Sequence, residues 1–474
     1  MPLRSAQSPF RRLAVSPFRQ FSSSRRPVAS SPSRIPLLTL AACSVLLAAC
    51  ERPPHTSGPL PQDVYVWQRI WTKEVDSVLP EAQSHFHELL PLAAEVSWKY
   101  NQPVVTQIAI DYPSLREVTQ TIGLVLRINA YNGPFRSQDN ATHELEDLGR
   151  TLITNAQHAG FTVTELQLDF DCAATKLAEY RVWVHALKEA LSPTPVHVTV
   201  LPSWIKKPGF GRLIAEAGEF ILQVHSVDPP MFGGDRFEIC DTNRAKLWVE
   251  NAAAFSIPFR VALPTYSCLV AFDSTTKLVG LSAEGPSIVW PQNTHLKVYN
   301  SDPERLSKLV QRWIQDRPEK MEGIVWYRLP VPIDRRNWRL TTLLKVAAGL
   351  DLRHSLRVQI KPSQPLEVSL KNEGDVDERL PEKIVVRWAS GSLRAADGLG
   401  FYRLGEQTAS SLELLKNEGP IESDLSPETT LSIAWLSVDS PDEVHAEIVH
   451  PASDHAKASN SAKASLDTSA ARDR

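Results

Sequence analysis

The chain has 474 residues, 42% hydrophobic and 22% charged, with a formal net charge of -3. That length exceeds one ordinary hydrophobic core and predicts a large domain followed by a smaller one. The near-neutral balance excludes binding to nucleic acid through bulk charge, so no nucleic-acid partner is expected.

Arg25, Arg26 and Arg34 precede the apolar run "IPLLTLAACSVLLAAC". This run is too short and wrongly flanked for a stable membrane span, and residues 1–49 read as a targeting segment. Its end, "LAAC", resembles a bacterial lipobox. The resemblance implies cleavage before Cys50, acylation of that residue, and a membrane partner reached through an N-terminal lipid anchor. Glu51 in the next position is compatible with an envelope location, at the periplasmic face of the outer membrane or the cell surface. A Pro-rich linker occupies 50–62. With Cys43 and Cys50 removed or lipidated, Cys172, Cys240 and Cys268 remain. An odd count without close CxxC spacing supports neither a zinc knuckle nor a disulfide framework.

From residue 63 a regular alternation begins. Strand-like runs occur at 64–71, 103–111, 121–130, 164–172, 196–204, 219–226, 258–266 and 322–330. Most are separated by helical patterns, the first spanning 75–96 and the last closing near 350. Eight strands alternating with helices over 63–351 predict an α/β fold of the (β/α)8 TIM-type barrel class. The alternative, an open doubly wound sheet, lacks the Gly-rich phosphate turn after its first strand. A long stretch, 267–301, separates strand seven from its helix and is expected to shape the active-site face. Past residue 352 apolar and polar residues alternate between turn signals. That predicts a small all-β, immunoglobulin-like sandwich over 352–450. Residues 451–474 are too polar to pack and read as a disordered tail.

Catalytic groups of barrel enzymes sit at the carboxyl ends of the strands. In "TELQLDFDC" (164–172) the polar residues Glu165, Gln167, Asp169 and Asp171 alternate with Leu166, Leu168 and Phe170. They therefore share one face of strand four, which the barrel turns inward. Trp67 and Arg69 lie in strand one, Arg127 lies towards the end of strand three, and Trp204 ends strand five. Gln223 and His225 lie near the end of strand six, and Tyr266 ends strand seven. Strand eight offers Trp326, or Tyr327 if its phase is reversed. Carboxylates for proton transfer, aromatic rings for stacking and Arg, Gln and His donors suit a glycan substrate or ligand. Asp169 and Asp171 are two residues apart, about 6.5 Å between alpha carbons. Their repulsion predicts separated pKa values and one retained proton. The competing reading is structural: Arg127 on the adjacent strand neutralises Asp169 in a buried pair. No nucleophile elbow, P-loop, zinc helix or dinucleotide fingerprint is present, so no cofactor is expected. One His and two carboxylates sharing a strand make a poor metal set, and no metal is expected.

The ordered motifs "VYVWQRIWT", "LQLDFDC", "YRVWVHAL", "LPSW", "LQVHSVDPP", "ICD" and "PFRVALPTYSC" resemble the uncharacterised bacterial domain-of-unknown-function family 3142. That resemblance implies a family and no activity. Strand four is also similar, more loosely, to that of chitinase-like glycoside hydrolases. This second resemblance implies Asp171 as the catalytic acid, Asp169 as its supporting carboxylate and Trp326 as the pocket floor. Asp171 replaces the Glu of that pattern, Gln167 stands where another Asp is expected, and the Gly-rich approach is missing. Two functions follow as expectations: a lipid-anchored hydrolase-like barrel, or an inactive barrel that binds glycan or a protein partner.

Overall fold

The computed structural model describes residues 53–100, 102–283, 288–418, 424–439 and 444–449. The targeting segment, Cys50 and the tail beyond 450 lie outside these described residues.

Eight parallel strands close into a barrel. In chain order they are β1 (Gln62–Val66), β2 (Glu88–Lys99), β3 (Thr121–Ile128), β4 (Thr162–Phe170), β5 (Val196–Val200), β6 (Phe220–Gln223), β7 (Phe259–Pro264) and β8 (Met321–Tyr327). Pairing of β1 with both β2 and β8 closes the ring. Helices wrap the outside and bury aliphatic and aromatic side chains such as Leu145, Trp183, Leu213, Val249 and Leu309 against the strands. Their caps were written into the sequence: the Asp139, Asp241 and Asp302 side chains each accept from backbone N–H groups of the first helical turn.

Strand two departs from expectation. The predicted helix over 75–96 ends at His85 (Lys73–His85), and Glu88–Lys99 is barrel strand β2. Residues 88–94 are buried without interruption, so strand alternation is erased where both faces are covered. Leu and Ala, which favour helices in isolation, are overridden by closure of the sheet. The run predicted as strand two lies outside the barrel. Gln102–Gln107 instead pairs antiparallel with the upper half of β2 and is largely exposed.

The long stretch after β7 forms a three-stranded antiparallel sheet, with Ser267–Phe272 between Leu278–Ser282 and His295–Asn300. Its inner face packs Cys268, Val270 and Phe272 on Phe237, Ile239 and Tyr266, covering one side of the barrel mouth. Beyond the barrel, two four-stranded antiparallel sheets share one core that includes Val368, Leu370, Ile384, Val386, Leu412, Leu414 and Leu436. Lys345 at 2.6 Å from Asp375 joins this unit to the last barrel helix, Leu340–Ala347.

At the opposite end, the base, the entering chain is fastened. His55–Thr56 pairs with Arg317–Pro318 just before β8. The Gly58 N–H donates to the Ile314 carbonyl at 2.8 Å, and Arg317 donates to the Gly58 carbonyl at 2.8 Å. No helix among the described residues is long and apolar enough to cross a membrane.

Candidate active site at the barrel mouth

The barrel interior is not filled by aliphatic layers alone. A polar column runs along its axis, and strand β4 supplies most of it. Glu165 is 3% exposed and Gln167 is fully buried, so the polar face of β4 does point inward. Near the base, Arg260 of β7 donates to Asp63 (2.9 Å), Glu165 (2.6 Å) and Glu219 (2.7 Å) at once. His197 adds a 2.5 Å contact to Glu165. Burial pushes the Glu165 carboxyl up, but Arg260 and His197 outweigh it and hold the group at about 2. Two glycines make room for these side chains. A β-carbon at Gly123 would strike Leu90 and come within 2.9 Å of Glu165, and one at Gly323 would lie 3.2 Å from Arg260. Above this layer the Tyr65 hydroxyl donates to Gln167 Oε1 at 2.6 Å, and Gln167 Nε2 donates to Glu165 at 2.9 Å.

At the mouth, Arg127 and Asp169 are register partners on adjacent strands, so their side chains meet on the inner face. Arg127 Nη1 lies 2.6 Å from Asp169, and Nη2 lies 2.7 Å from Asp171. Thr199 of β5 donates to the other oxygen of Asp169 at 2.9 Å. The two aspartates differ in exposure: Asp169 is 7% exposed, whereas the Asp171 side chain is 44% exposed. Burial raises Asp169 above the usual carboxylate range, with Asp171 pushing the same way and Arg127 and Thr199 opposing. One guanidinium therefore bridges a sealed carboxylate and an accessible one. The two expectations for this strand, a structural pair with Arg127 and an acid pair at the rim, describe the same three groups.

Two strands along the ring, His225 is buried with Nδ1 3.1 Å from the Tyr266 hydroxyl, which also meets the Ser226 hydroxyl at 2.6 Å. Burial holds His225 neutral, down at about 3, with only Asp171 pulling it upward. Gln223 is half-buried and donates to the His225 carbonyl at 3.3 Å. Tyr327 stacks on His225, with ring centroids 5.6 Å apart, and meets Trp67 edge-on at 4.9 Å. Arg69, after β1, makes a two-pronged contact with Glu95 of β2, at 2.6 and 3.0 Å.

The structure thus gathers Trp67, Arg69, Arg127, Gln167, Asp169, Asp171, Gln223, His225 and Tyr266 in or around one barrel end. Trp204 and Trp326 are elsewhere. Trp204 is 1% exposed and Trp326 is fully buried, both in the shell between strands and helices. Trp326 donates its indole N–H to Gln62 at 2.7 Å. Strand β8 therefore has the reversed phase, and Tyr327 is the residue facing the axis. Glu95 escaped sequence reasoning because it fell in a predicted helix. Arg260 and Asp63 also escaped: Arg260 is a lone charge inside an apolar strand run, a recognisable mark of an inward polar group, whereas Asp63 lies one residue before the run at 64–71. A groove of about 580 Å³ lined by Gln359, Lys361, Glu367 and Thr430 lies on the C-terminal sheets, away from this chemistry.

Residues 124–332, from within β3 to just past β8, match the family described as Domain of unknown function (DUF3142). The match spans less than half of the chain. In this protein the DUF3142 match takes in β4, the mouth aspartates and the sheet inserted after β7, while β1 and β2 precede it. No curated protein matches the chain. Among solved structures, the spore cortex-lytic enzyme SleL of Bacillus cereus is 12% identical, with 62% of this chain and 75% of that one covered and a TM-score of 0.43. The GH18 chitinase ChiB of Flavobacterium johnsoniae is 11% identical, covering 62% and 93%, with a TM-score of 0.43. A chitinase from Chromobacterium violaceum is 12% identical, covering 61% and 98%, with a TM-score of 0.41.

Proposed function

We propose that the barrel mouth is a glycan site of glycoside-hydrolase-like design, with Asp171 as the group that meets the ligand. The observation that supports it best is the asymmetric pair. Asp169 is sealed and raised by burial, Asp171 is open to solvent, and Arg127 holds both at the carboxyl end of one barrel strand. With Asp171 as general acid and Asp169 as its charge partner and orienter, the pair suits proton transfer to a glycosidic oxygen. Neutral His225 and the Tyr266 hydroxyl, at the same barrel end, supply hydrogen bonds to sugar hydroxyls, and Trp67 and Tyr327 give the floor an aromatic surface.

A second reading rests on a specific contact. The 2.7 Å ion pair between Arg127 and Asp171 engages that carboxylate with a fixed cation, which suits a barrel that binds glycan without cleaving it. Purified wild type, Asp171→Asn and Asp169→Asn proteins assayed on a panel of envelope glycans separate the two. Turnover by wild type that disappears in Asp171→Asn supports hydrolysis. Binding without turnover in any of the three supports the second reading, and turnover that survives both substitutions overturns the assignment of these aspartates.

The same proposal places the protein in the cell envelope, anchored through acylated Cys50, with the lipobox-like "LAAC" as its support. The C-terminal pair of sheets is read as an immunoglobulin-like docking module that holds the barrel near its polymer.

A further inference from the structure

The fastening of the entering chain to the barrel base fixes which end of the molecule can approach a membrane. From Cys50 to His55 there are five residue steps. Fully extended, they reach about 17 Å. His55 is held at the base by Asp316 (2.6 Å) and Glu250 (3.2 Å), and its strand pairs with Arg317–Pro318. The backbone N–H of Glu319 donates to the Pro54 carbonyl at 2.7 Å, so the tie extends to the first described residues. Against that reach stands the height of the barrel. Its longest helix, Asn140–His158, has 19 residues. At a rise of 1.5 Å per residue it spans about 28 Å from mouth to base. A tether of about 17 Å that starts from the base cannot carry the acylated residue past the rim of the mouth.

We infer that the lipid-anchored protein stands on its membrane base-down, with the mouth containing Asp171 turned away from that bilayer. This rests on the lipid-anchor and glycan-site readings above, and it narrows the ligand. The mouth takes a glycan polymer lying a barrel's height beyond the headgroups, not the headgroup of a glycolipid in the leaflet that holds the anchor.

Fluorophores at two positions test the orientation in the full lipidated chain reconstituted into vesicles containing a headgroup-linked energy acceptor. Glu319→Cys marks the base. Ile333→Cys, 60% exposed in the loop after β8, marks the mouth. The unsubstituted chain measures background labelling of the native thiols, and Cys50→Ser provides the unanchored control. Partition into vesicles is scored first and must depend on Cys50. Transfer to the acceptor is then expected to be at least about twofold stronger from position 319 than from position 333, given the steep distance dependence over a barrel's height. Equal transfer, or stronger transfer from position 333, overturns the orientation while leaving the anchor standing. A Cys50-intact chain that stays in the aqueous phase overturns the anchor and the orientation together, and leaves the glycan assays with soluble substrates untouched.

Discussion

Glu88 is the carboxylate that the base network leaves over. It is the register partner of Asp63, is 7% exposed, and accepts a hydrogen bond from the Thr164 hydroxyl. All three nitrogens of Arg260 go to other acids. Burial therefore pushes Glu88 from its usual 4.5 up to about 7, Thr164 only partly opposing and Glu165 and Asp63 adding repulsion. The sign follows from linkage. The folded state binds this proton more tightly than the unfolded one, so the stability it contributes is complete below pH 4.5 and is lost as pH rises through about 7. A shift of that size corresponds to about 3 kcal/mol. Glu88→Gln keeps an acceptor for Thr164 and removes the titration. Denaturant unfolding of both full chains, followed by tryptophan emission at pH 5, 6, 7 and 8, should show near-equal stability at pH 5. At pH 8 the variant should be more stable by up to about 3 kcal/mol. A difference that does not change with pH, or a variant less stable at pH 8, would refute the account of a stranded carboxylate.

Three further outcomes follow from the same column of side chains. Arg260→Met leaves Asp63, Glu165 and Glu219 without their shared cation and should cost about 3–5 kcal/mol in unfolding experiments, or prevent folding. Arg127→Gln should destabilise the fold less, because Asp169 retains Thr199 and can protonate. Its glycan affinity should drop together with that of Asp171→Asn, measured by titration calorimetry. Trp326→Leu opens a void in the shell and should cost about 3 kcal/mol of stability while leaving glycan affinity unchanged, since the ring never reaches the mouth.

Much of this was legible in the residues. Strands β3 to β8 carry runs of apolar or alternating residues bounded by turn signals, and the inward face of β4 was readable from Glu165, Gln167, Asp169 and Asp171. What could not be read has a common physical cause. Strand β2 is covered on both faces, so "ELLPLAA" presents no period that distinguishes it from a helix. The phase of β8 was ambiguous for a related reason: Trp326 and Tyr327 are both aromatic, and either could face the axis. The Arg127–Asp169 pair was expected from adjacent strands, but that the same guanidinium also reaches Asp171 depends on register and side-chain placement that the sequence of neither strand contains. Asp63, Glu165 and Arg260 come from strands far apart in the chain, and only ring closure brings them together.

That ring closure has a consequence for how the molecule is made. During synthesis β1 to β4 emerge first, carrying Asp63, Glu88 and Glu165, while the cation that neutralises two of them arrives only with β7, about a hundred residues after Glu165. A nascent half-barrel would have to bury Glu165 before either of its basic partners, His197 or Arg260, has been made. The first half of this chain is thus poorly suited to fold alone and must wait in an open form for Arg260. Fragments cut between β4 and β5 should be insoluble apart and recover structure only when mixed.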